Sequence, residues 1–525
     1  MKRTLLSIIL CVLTLSAAEP PARTNNDPWR LQYHFTPPHN WTNDPNGLVY
    51  YKGEYHLFYQ SNPFGTKWGH MSWGHAVSPD LLHWKDLPVA LAEENGVMIF
   101  SGSAVVDQQN SSGLCKASGA DRSCLIAIYT GHTPERQTQN IAFSNDRGRT
   151  WTKYHGNPVI DLHLKDFRDP KVFWYKPQSK WVMAVSLSDQ HKLRFFSSHD
   201  LIHWSALSDF GPAGASGGAW ECPDLFELPV PNENRTRWVL VVNVNPGGVA
   251  GGSATQYFIG DFDGTRFVDD NPSGLQLWMD YGKDYYAAVS FFGDNPGYNR
   301  RIMLGWFSNW QYANDTPETD WRGAMNLPRE ISLMRTPDGI RVRQLPIREL
   351  ASLHAAIGIG SAASLAGNGT LSDASRILEQ ATANEKLLEI QIEFQPNSAA
   401  EYGLLLDASG KQFTKVGIDR KKSTIYIDRT NSGVTNFSKY FPGRQDGPLK
   451  LTGAVKLDIF LDRSSVEVFA NDGEVALSDR IYPAQIATHA SLFSSGGEAP
   501  RIKSLKVWRM KSIWNGSSQG LLLHH

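Results

Sequence analysis

Short stretches in which apolar and polar residues alternate make up most of the chain, and turn residues separate them. One such run is Gly47–Tyr51, which is followed by the turn pair Lys52-Gly53 and by a second run, Glu54–Gln60. Alternation with a period of two predicts half-buried β-strands. Long stretches with the period of a helix are nearly absent, so the pattern predicts an all-β protein.

A weak internal repeat indicates how these strands are grouped. The segment Ser78–Trp84 returns as Ser198–Trp204, and a related Ser…Asp…Trp form spans Ser144–Trp151. The acidic turn Gly260–Gly264 continues the series, and successive copies lie about 60 residues apart. A repeat of that length with several strands per unit predicts the blades of a β-propeller, and five units fit between residues 28 and 345.

The composition changes after Pro346. We predict a short linking helix over Ile347–Ala356, followed by a Gly/Ala/Ser-rich stretch, and we interpret residues 346–369 as a linker. Alternating runs such as Ser465–Phe469 come after it. Residues 370–512 are therefore predicted to form a β-sandwich.

The N-terminus has the pattern of an export signal. Lys2 and Arg3 precede an apolar run from Leu5 to Leu15, and small residues lead up to Ala18. This pattern predicts a signal peptide over residues 1–18. No later apolar stretch reaches membrane-spanning length. We therefore expect a protein that is secreted, to the extracellular space or the periplasm, and that is not bound to a membrane.

The charges nearly cancel, with 51 basic and 52 acidic residues. A nucleic-acid partner would require a clear basic excess, so the composition argues against one. The chain also contains 17 Trp and 18 Tyr. Most of these are expected in the core, but they include enough aromatic faces to stack on sugar rings.

Three cysteines remain once the signal peptide is excluded. Cys115 and Cys124 flank a polar loop, and in an oxidising compartment they could form a disulfide or stay as two free thiols. Cys222 would have no partner.

The heptad Trp41–Gly47 concentrates chemistry in a short segment. Pro45 favours an extended backbone at Asp44, and Asn46-Gly47 is expected to turn the chain. A carboxylate beside an indole and two carboxamides suits a carbohydrate ligand, because indoles stack on sugar rings and carboxamides bind hydroxyls. Taken alone, the motif is also compatible with an ordinary Asx-type turn between two strands.

Two further acidic clusters favour the functional interpretation. Asp169 follows Arg168 and precedes a proline, and Glu221 lies between an aromatic residue and a cysteine. Each has a simple alternative: Arg168 and Asp169 could form a structural ion pair, and Glu221 could be a surface acid. Together with Asp44, however, they recur at the blade interval. Since equivalent points on the inner strands of a propeller converge on one end of its funnel, we expect the three carboxylates around one cavity.

In this order, the motifs resemble glycoside hydrolase family 32, the fructan hydrolases and invertases. The residues that carry the resemblance are Trp41–Gly47, Phe100–Ser103, Arg168–Pro170, Glu221-Cys222 and Trp306–Trp310. It covers essentially the whole mature chain, and it implies a five-bladed propeller followed by a β-sandwich. One departure is Thr42, where the family usually has methionine.

The resemblance implies a role for each acid. Asp44 is the expected nucleophile, Glu221 the general acid/base, and Asp169, with Arg168, the group that binds fructose hydroxyls and stabilises the transition state. This is a retaining mechanism in which two carboxyl groups act in sequence. It requires Glu221 to begin protonated while Asp44 begins ionised, and it needs no metal or other cofactor.

Other matching positions are expected, by resemblance, to bind the substrate. They are Trp41, Asn43, Gln60, Trp68, Ser103, Arg168 and Trp306. For Trp68 and Trp306, a core position between blades is the alternative. A metal site at His70 and His75 is a weaker alternative for this region, because the histidines lack a convincing ligand set.

The segments Asn95–Ser103 and Gln139–Asp146 resemble exo-acting fructan hydrolases more than dedicated invertases. The resemblance therefore implies release of terminal fructose from inulin or levan, and from sucrose. An invertase or a fructosyltransferase acting mainly on sucrose is the alternative, since it would share the catalytic residues. A non-catalytic fructan-binding protein is disfavoured because all three acids are present. The sequence indicates neither a linkage preference nor an oligomeric state.

Overall fold

The computed structural model describes residues 23, 27–116, 121–272, 274–293, 300–355, 363–484 and 489–514. The predicted signal peptide, residues 1–18, lies outside this part of the chain. Strands dominate the described residues, as the alternating pattern predicts.

Five antiparallel sheets form a propeller, and within each sheet the strands follow one another in chain order from the centre outwards. The first blade contains β1 (Asn40–Tyr51), β2 (Glu54–Asn62), β3 (Ser72–Ser78) and β4 (Lys85–Leu91). The second contains β5 (Met98–Asp107), β6 (Cys124–His132), β7 (Gln137–Ser144) and β8 (Thr152–Lys153). The third contains β9 (Phe167–Tyr175), β10 (Lys180–Leu187), β11 (Lys192–Ser198) and β12 (Ser205–Phe210), with 3-10 helices at Lys176–Gln178 and Ser188–Gln190.

The last two blades complete the ring. The fourth contains β13 (Ala219–Pro229), β14 (Thr236–Asn245), β15 (Ala254–Phe262) and β16 (Phe267–Asp269). The fifth contains β17 (Tyr286–Ser290), β18 (Arg301–Trp306), β20 (Arg329–Thr336) and β21 (Gly339–Pro346). A short strand in the connection between β18 and β20, β19 (Trp321–Arg322), pairs in parallel with β1 and so joins the fifth blade to the first. The first strands of the five blades contact one another around the axis.

The sequence repeat marks the connection between the third and fourth strands of a blade. In the first blade, Asp80 accepts hydrogen bonds from the backbone N–H groups of Leu82 (3.0 Å) and His83 (2.8 Å). In the third blade, Asp200 does the same for Ile202 and His203 at the same distances. The related segments at 144–151 and 260–264 occupy the equivalent connections of the second and fourth blades. The repeat is thus a recurring side-chain-capped turn, and the propeller predicted from it is confirmed.

The heptad differs from the expected turn, because all of it lies within β1. Pairing of β1 with β2 shifts between Thr42 and Pro45 and again between Asn46 and Val49. Gly47 has a φ of +53°, and a Cβ at that position would lie 2.6 Å from the ring of Phe58. Pro45, Asn46 and Gly47 therefore accompany two bulges within β1, and the chain does not reverse direction there.

The second domain is a β-sandwich. One sheet contains β22 (His354–Ala355), β23 (Ala363–Gly369), β24 (Leu388–Phe394), β29 (Val455–Asp462), β30 (Ser465–Ala470), β31 (Val475–Arg480) and β33 (Ile502–Met510). The other contains β25 (Glu401–Ser409), β26 (Gln412–Asp419), β27 (Thr424–Asp428), β28 (Arg444–Pro448) and β32 (His489–Ser495). Apolar side chains of both sheets, among them Ile390, Leu404 and Ile459, share one core.

Parts of the predicted linker, within the described residues, form regular secondary structure. A 3-10 helix spans Arg348–Leu353, within the predicted linking helix. β23 lies inside the predicted linker, yet it pairs with β33 and belongs to the sandwich. The helix α1 (Leu371–Thr382) was not predicted. It starts where the Thr370 side chain accepts a hydrogen bond from the backbone N–H of Asp373, and it buries Leu378.

Buried ion pairs join the two domains. Arg329 of the fifth blade contacts Asp280 (2.9 Å) and, across the interface, Glu467 of the sandwich (3.1 Å). His34 lies 2.8 Å from Asp462 of the sandwich, and all five side chains are buried. Removing one member of a buried pair strands the charge of the other at a cost of several kcal/mol. The position of the sandwich against the propeller is therefore specified by charge as well as by shape.

The structure also resolves the alternatives for the cysteines. Cys115 and Cys124 are joined by a disulfide, with their Cα atoms 5.2 Å apart. Cys222 is a buried free thiol on β13. No helix in the described ranges is both long enough and apolar enough to span a membrane.

Candidate active site

A cavity of about 160 Å³ lies where the inner strands of the first four blades converge. Its lining residues are Asn43, Asp44, Gln60, Trp68, Phe100, Ser101, Arg168, Asp169, Glu221, Asn245 and Trp310. The three acids identified in the sequence therefore share one cavity. A larger cavity of about 390 Å³ between the third and fourth blades contains none of these three, so chemistry rather than size identifies the candidate site.

Each inner strand is irregular where it reaches the funnel. All five inner strands have a shift in strand pairing near the funnel: Thr42/Pro45 on β1, Phe100/Gly102 on β5, Arg168/Lys171 on β9, Glu221/Asp224 on β13 and Tyr286/Val289 on β17.

Three non-glycine residues at these points have left-handed backbones: Asp169 (φ 66°), Cys222 (φ 42°) and Ala287 (φ 51°). Bulges of this kind re-aim side chains, and strained backbone of this kind is typical of functional sites.

Asp44 is held by hydrogen bonds to both carboxylate oxygens. Ser101 Oγ donates to Oδ2 at 2.7 Å, and Asn43 Nδ2 donates to Oδ1 at 3.0 Å. Asn43 is oriented in turn by Trp41, whose Nε1 donates to its Oδ1 at 2.7 Å. Burial raises the pKa of Asp44, the hydrogen bond from Ser101 opposes the shift, and the negative charge of Glu221 adds to it.

The Cys222 thiol lies between two of the acids. Its Sγ is 3.4 Å from Asp44 Oδ2 and 3.6 Å from Asp169 Oδ2, and its backbone N–H donates to the same Asp169 oxygen at 2.9 Å. Burial raises the pKa of Cys222 well above its usual value, and the neighbouring carboxylates add to the shift. The thiol therefore stays protonated at neutral pH and acts as a hydrogen-bond donor. Burial also raises the pKa of Asp169, against the charge of Arg168.

Glu221 is contacted on both oxygens as well. Arg168 Nε donates to Oε1 at 3.0 Å, and the hydroxyl of Tyr286 contacts Oε2. Arg168 is fixed by a second carboxylate, Asp166, at 2.8 Å from its Nη1. Tyr286 lies on β17, the inner strand of the fifth blade, and no motif in the sequence assigned it a role.

Aromatic side chains form the wall of the cavity. Trp68 meets Phe100 edge-on, with ring centroids 6.2 Å apart. Trp310 rests on two buried indoles, at 5.8 Å from Trp41 and 4.8 Å from Trp306. A tryptophan supported in this way presents a fixed apolar face to a ligand.

Three residues expected to bind substrate do not line the cavity. Ser103 Oγ accepts a hydrogen bond from the backbone N–H of Val172 (3.0 Å) and so joins the second blade to the third. Trp306 is fully buried, and its Nε1 donates to the Thr42 carbonyl. Trp41 is also fully buried and acts on the cavity through Asn43.

Ser101 and Trp310, neighbours of Ser103 and Trp306, do line the cavity. Both belong to the segments that carry the family resemblance. The other predicted positions, Asn43, Gln60, Trp68 and Arg168, do line the cavity. Gln60 is held by a hydrogen bond from its Nε2 to the Ile99 carbonyl (2.9 Å).

Within the described residues, no group of three or more His, Cys, Asp and Glu side chains is arranged to hold a metal ion. His75 is buried and hydrogen-bonded to His56 (3.1 Å), and His70 contacts Glu93 (2.8 Å).

A five-bladed propeller with three carboxylates in its funnel, followed by a β-sandwich, defines a class of glycoside hydrolases. Residues 34–346 match the model for the N-terminal domain of glycosyl hydrolases family 32, and residues 360–509 match the model for its C-terminal domain. The chain belongs to glycoside hydrolase family 32.

Individual relatives agree with this assignment. A levanase of Bacillus subtilis is 46% identical over 98% of this chain and 76% of its own length. An extracellular exo-inulinase of Aspergillus awamori is 40% identical over 93% of this chain and 96% of its own length. The crystal structure of exo-inulinase from Aspergillus awamori superposes with a TM-score of 0.85 at 38% identity, covering 94% of this chain and 100% of that chain.

Proposed function

We propose that this protein is a retaining β-fructofuranosidase that releases terminal fructose from β-fructans, inulin or levan, and from sucrose. The observation that carries the proposal is the convergence of Asp44, Asp169 and Glu221 on one cavity. Family membership supports it, as do the relatives named levanase and exo-inulinase.

In the first step, an oxygen of Asp44 attacks C2 of the fructosyl unit. The bond from C2 to the leaving oxygen breaks, and Glu221 gives its proton to that oxygen. In the second step, Glu221 takes a proton from water, the water oxygen bonds to C2, and the ester to Asp44 breaks. Fructose leaves with retained configuration, and both carboxyl groups return to their initial states.

The contacts around Glu221 suit the anion that it becomes in the first step and that acts as base in the second. When Glu221 loses its proton, the new anion is stabilised by Arg168 and Tyr286, which already contact its two oxygens. Asp169 is nearly fully buried beside the cavity, where it can bind fructose hydroxyls through its carboxylate. The single S–H of Cys222 is within reach of both Asp44 and Asp169, and by donating to one of them it reduces the repulsion between two carboxylates that share a small space.

The size of the cavity favours exo-action. About 160 Å³ accommodates roughly one monosaccharide unit, and Trp68, Phe100 and Trp310 border it. A chain end fits such a site, whereas an internal segment of a polymer would need an open cleft. The proposed substrates are therefore bound by their terminal fructose.

We also propose that the protein is secreted. The predicted signal peptide at residues 1–18 supports this, as does the relative named as an extracellular exo-inulinase.

The test is a time course on inulin, levan and sucrose with chromatographic separation of the products. Free fructose as the sole early product from the polymers is the expected result. Early oligosaccharides from inulin or levan would contradict exo-action, and lengthening products at high sucrose would identify a fructosyltransferase. Activity confined to sucrose would identify an invertase. The Asp44→Asn variant, run in parallel, controls for contaminating activity.

A further inference from the structure

The loop between β2 and β3, residues 63–71, borders the cavity through Trp68 and carries a second aromatic residue, Phe64. Phe64 is 77% exposed and Trp68 is 41% exposed. They are two of the three exposed large aromatic side chains in the described part of the chain, and the third, Tyr440, lies in the sandwich. Phe64 shares this loop with Trp68, which lines the cavity, so its exposed ring is available to a ligand that extends out of the cavity.

The backbone that carries Phe64 is firmly held. Asn62 accepts a hydrogen bond from the N–H of Phe64 at 2.9 Å and donates one to the Lys67 carbonyl at 2.8 Å. Arg322, on the strand that closes the ring of blades, donates to the Thr66 carbonyl at 2.9 Å. A ligand that bound here would meet a preformed surface and would pay little ordering entropy.

Polar groups border the ring of Phe64. His70 meets the ring edge-on, with centroids 5.3 Å apart, and the His70 Nδ1 lies 2.8 Å from Glu93 Oε2. The His70 side chain is itself 61% exposed. An exposed aromatic face with hydrogen-bonding groups at its edge matches a sugar ring, which has apolar C–H faces and a rim of hydroxyls.

We propose that Phe64, together with His70 and Glu93, is an outer binding site for the fructan chain. The proposal rests on the proposed function: once the terminal fructose occupies the cavity, the following units lie over its rim, which is bordered by the loop that carries Trp68 and Phe64. Sucrose has a single unit outside the cavity and ends before this outer site. Phe64 thus determines how strongly the enzyme prefers long substrates to short ones.

The experiment compares kcat/KM for sucrose and for long-chain inulin and levan in the wild type, Phe64→Ala, Phe64→Trp and Tyr440→Ala. We expect Phe64→Ala to lower kcat/KM for at least one polymer by about threefold to tenfold, mainly through KM, while sucrose stays within about twofold. Phe64→Trp should retain the preference for the polymer. Tyr440→Ala, which removes an exposed aromatic side chain from the sandwich, should leave both substrates unchanged.

An equal loss on sucrose and on the polymers would overturn the proposal, because it would place Phe64 in the support of the cavity rather than in an outer site. Unchanged kinetics of Phe64→Ala on both polymers would overturn it too, as would the same selective loss in Tyr440→Ala. Failure of the wild type to release fructose from any of these substrates would instead overturn the proposed function.

Discussion

The hydroxyl of Ser101 donates a 2.7 Å hydrogen bond to Oδ2 of Asp44, which links the inner strands of the first and second blades at the proposed nucleophile. This bond lowers the pKa of Asp44 against the effect of burial. Ser101→Ala should therefore raise the pKa of Asp44 and move the acidic limb of the pH profile of kcat/KM to higher pH. Loss of a hydrogen bond to a charged group also predicts about a tenfold fall in kcat/KM.

The matched control for that variant is Ser103→Ala, two residues along the same strand. Ser103 bonds to the backbone of Val172 and does not line the cavity. Its removal should leave the acidic limb where it is. If Ser101→Ala and Ser103→Ala shift the acidic limb of the pH profile equally, the hydrogen bond to Asp44 does not determine the position of that limb.

Asp44→Asn tests the proposed nucleophile. The amide keeps the size of the side chain and removes the charge, so the fold and the binding of sucrose should persist. Fructose release should fall by at least about a thousandfold. Rates on sucrose, with circular dichroism and sucrose-induced thermal stabilisation as folding and binding controls, provide the measurement. Turnover near the wild-type rate would assign the attack to another group.

Glu221→Ala tests general acid catalysis through its dependence on the leaving group. Sucrose and fructans have poor leaving groups that need a proton, so their kcat should fall by about a hundredfold or more. An aryl fructoside with a strongly acidic phenol needs less help and should lose much less. Tyr286→Phe, which removes the hydroxyl against Glu221, should show the same selectivity in weaker form. Equal losses on both kinds of substrate in Glu221→Ala would exclude the acid role.

A buried pair of histidines predicts sensitivity to mild acid. His56 Nδ1 lies 3.1 Å from His75 Nε2 in the first blade, and burial lowers the pKa of His56 to about 4, with Glu54 opposing the shift. Because the folded-state pKa lies below the unfolded value of about 6.5, protonation favours the unfolded chain. The stabilisation is complete above about pH 6.5 and is lost as the pH falls towards 4; by pH 5 the loss from His56 is about 2 kcal/mol.

Denaturant unfolding at pH 7.5 and pH 5 measures this effect. His56→Gln should reduce the difference in unfolding free energy between pH 7.5 and pH 5 by about 2 kcal/mol. His199→Gln, at an exposed position, is the control. An unchanged difference in His56→Gln would show that this ring does not determine the acid sensitivity.

The propeller could be predicted because its signals are local. Alternation marks each strand, and the aspartate that caps the third connection of a blade, such as Asp80 or Asp200, must precede the N–H groups that it binds by a fixed number of residues. The helix α1 escaped prediction although Thr370 and Asp373 form a recognisable start signal. The helix has only 12 residues and follows a Gly-rich stretch, and the segments around it have the alternating pattern of strands.

The site was predictable to the level of segments. Asp44 and Asp169 each precede a proline, which fixes the backbone locally and makes the acids visible in the sequence. The sequence did not show that Ser101, rather than Ser103, lines the cavity. This difference depends on a shift in strand pairing beside Ser101, and such a bulge alters which residues of a strand face the funnel.

The buried ion pairs between the domains have a consequence for how this enzyme can change. Glu467 lies in the sandwich, yet its carboxylate accepts hydrogen bonds from Asn326 and Arg329 of the fifth blade, and His34 lies 3.5 Å away. A propeller separated from its sandwich would expose Arg329 to water, and Arg329 would keep Asp280 but lose Glu467 as a partner. The two domains are therefore expected to evolve together: exchanging either one would require compensating changes among the buried charged residues of the other.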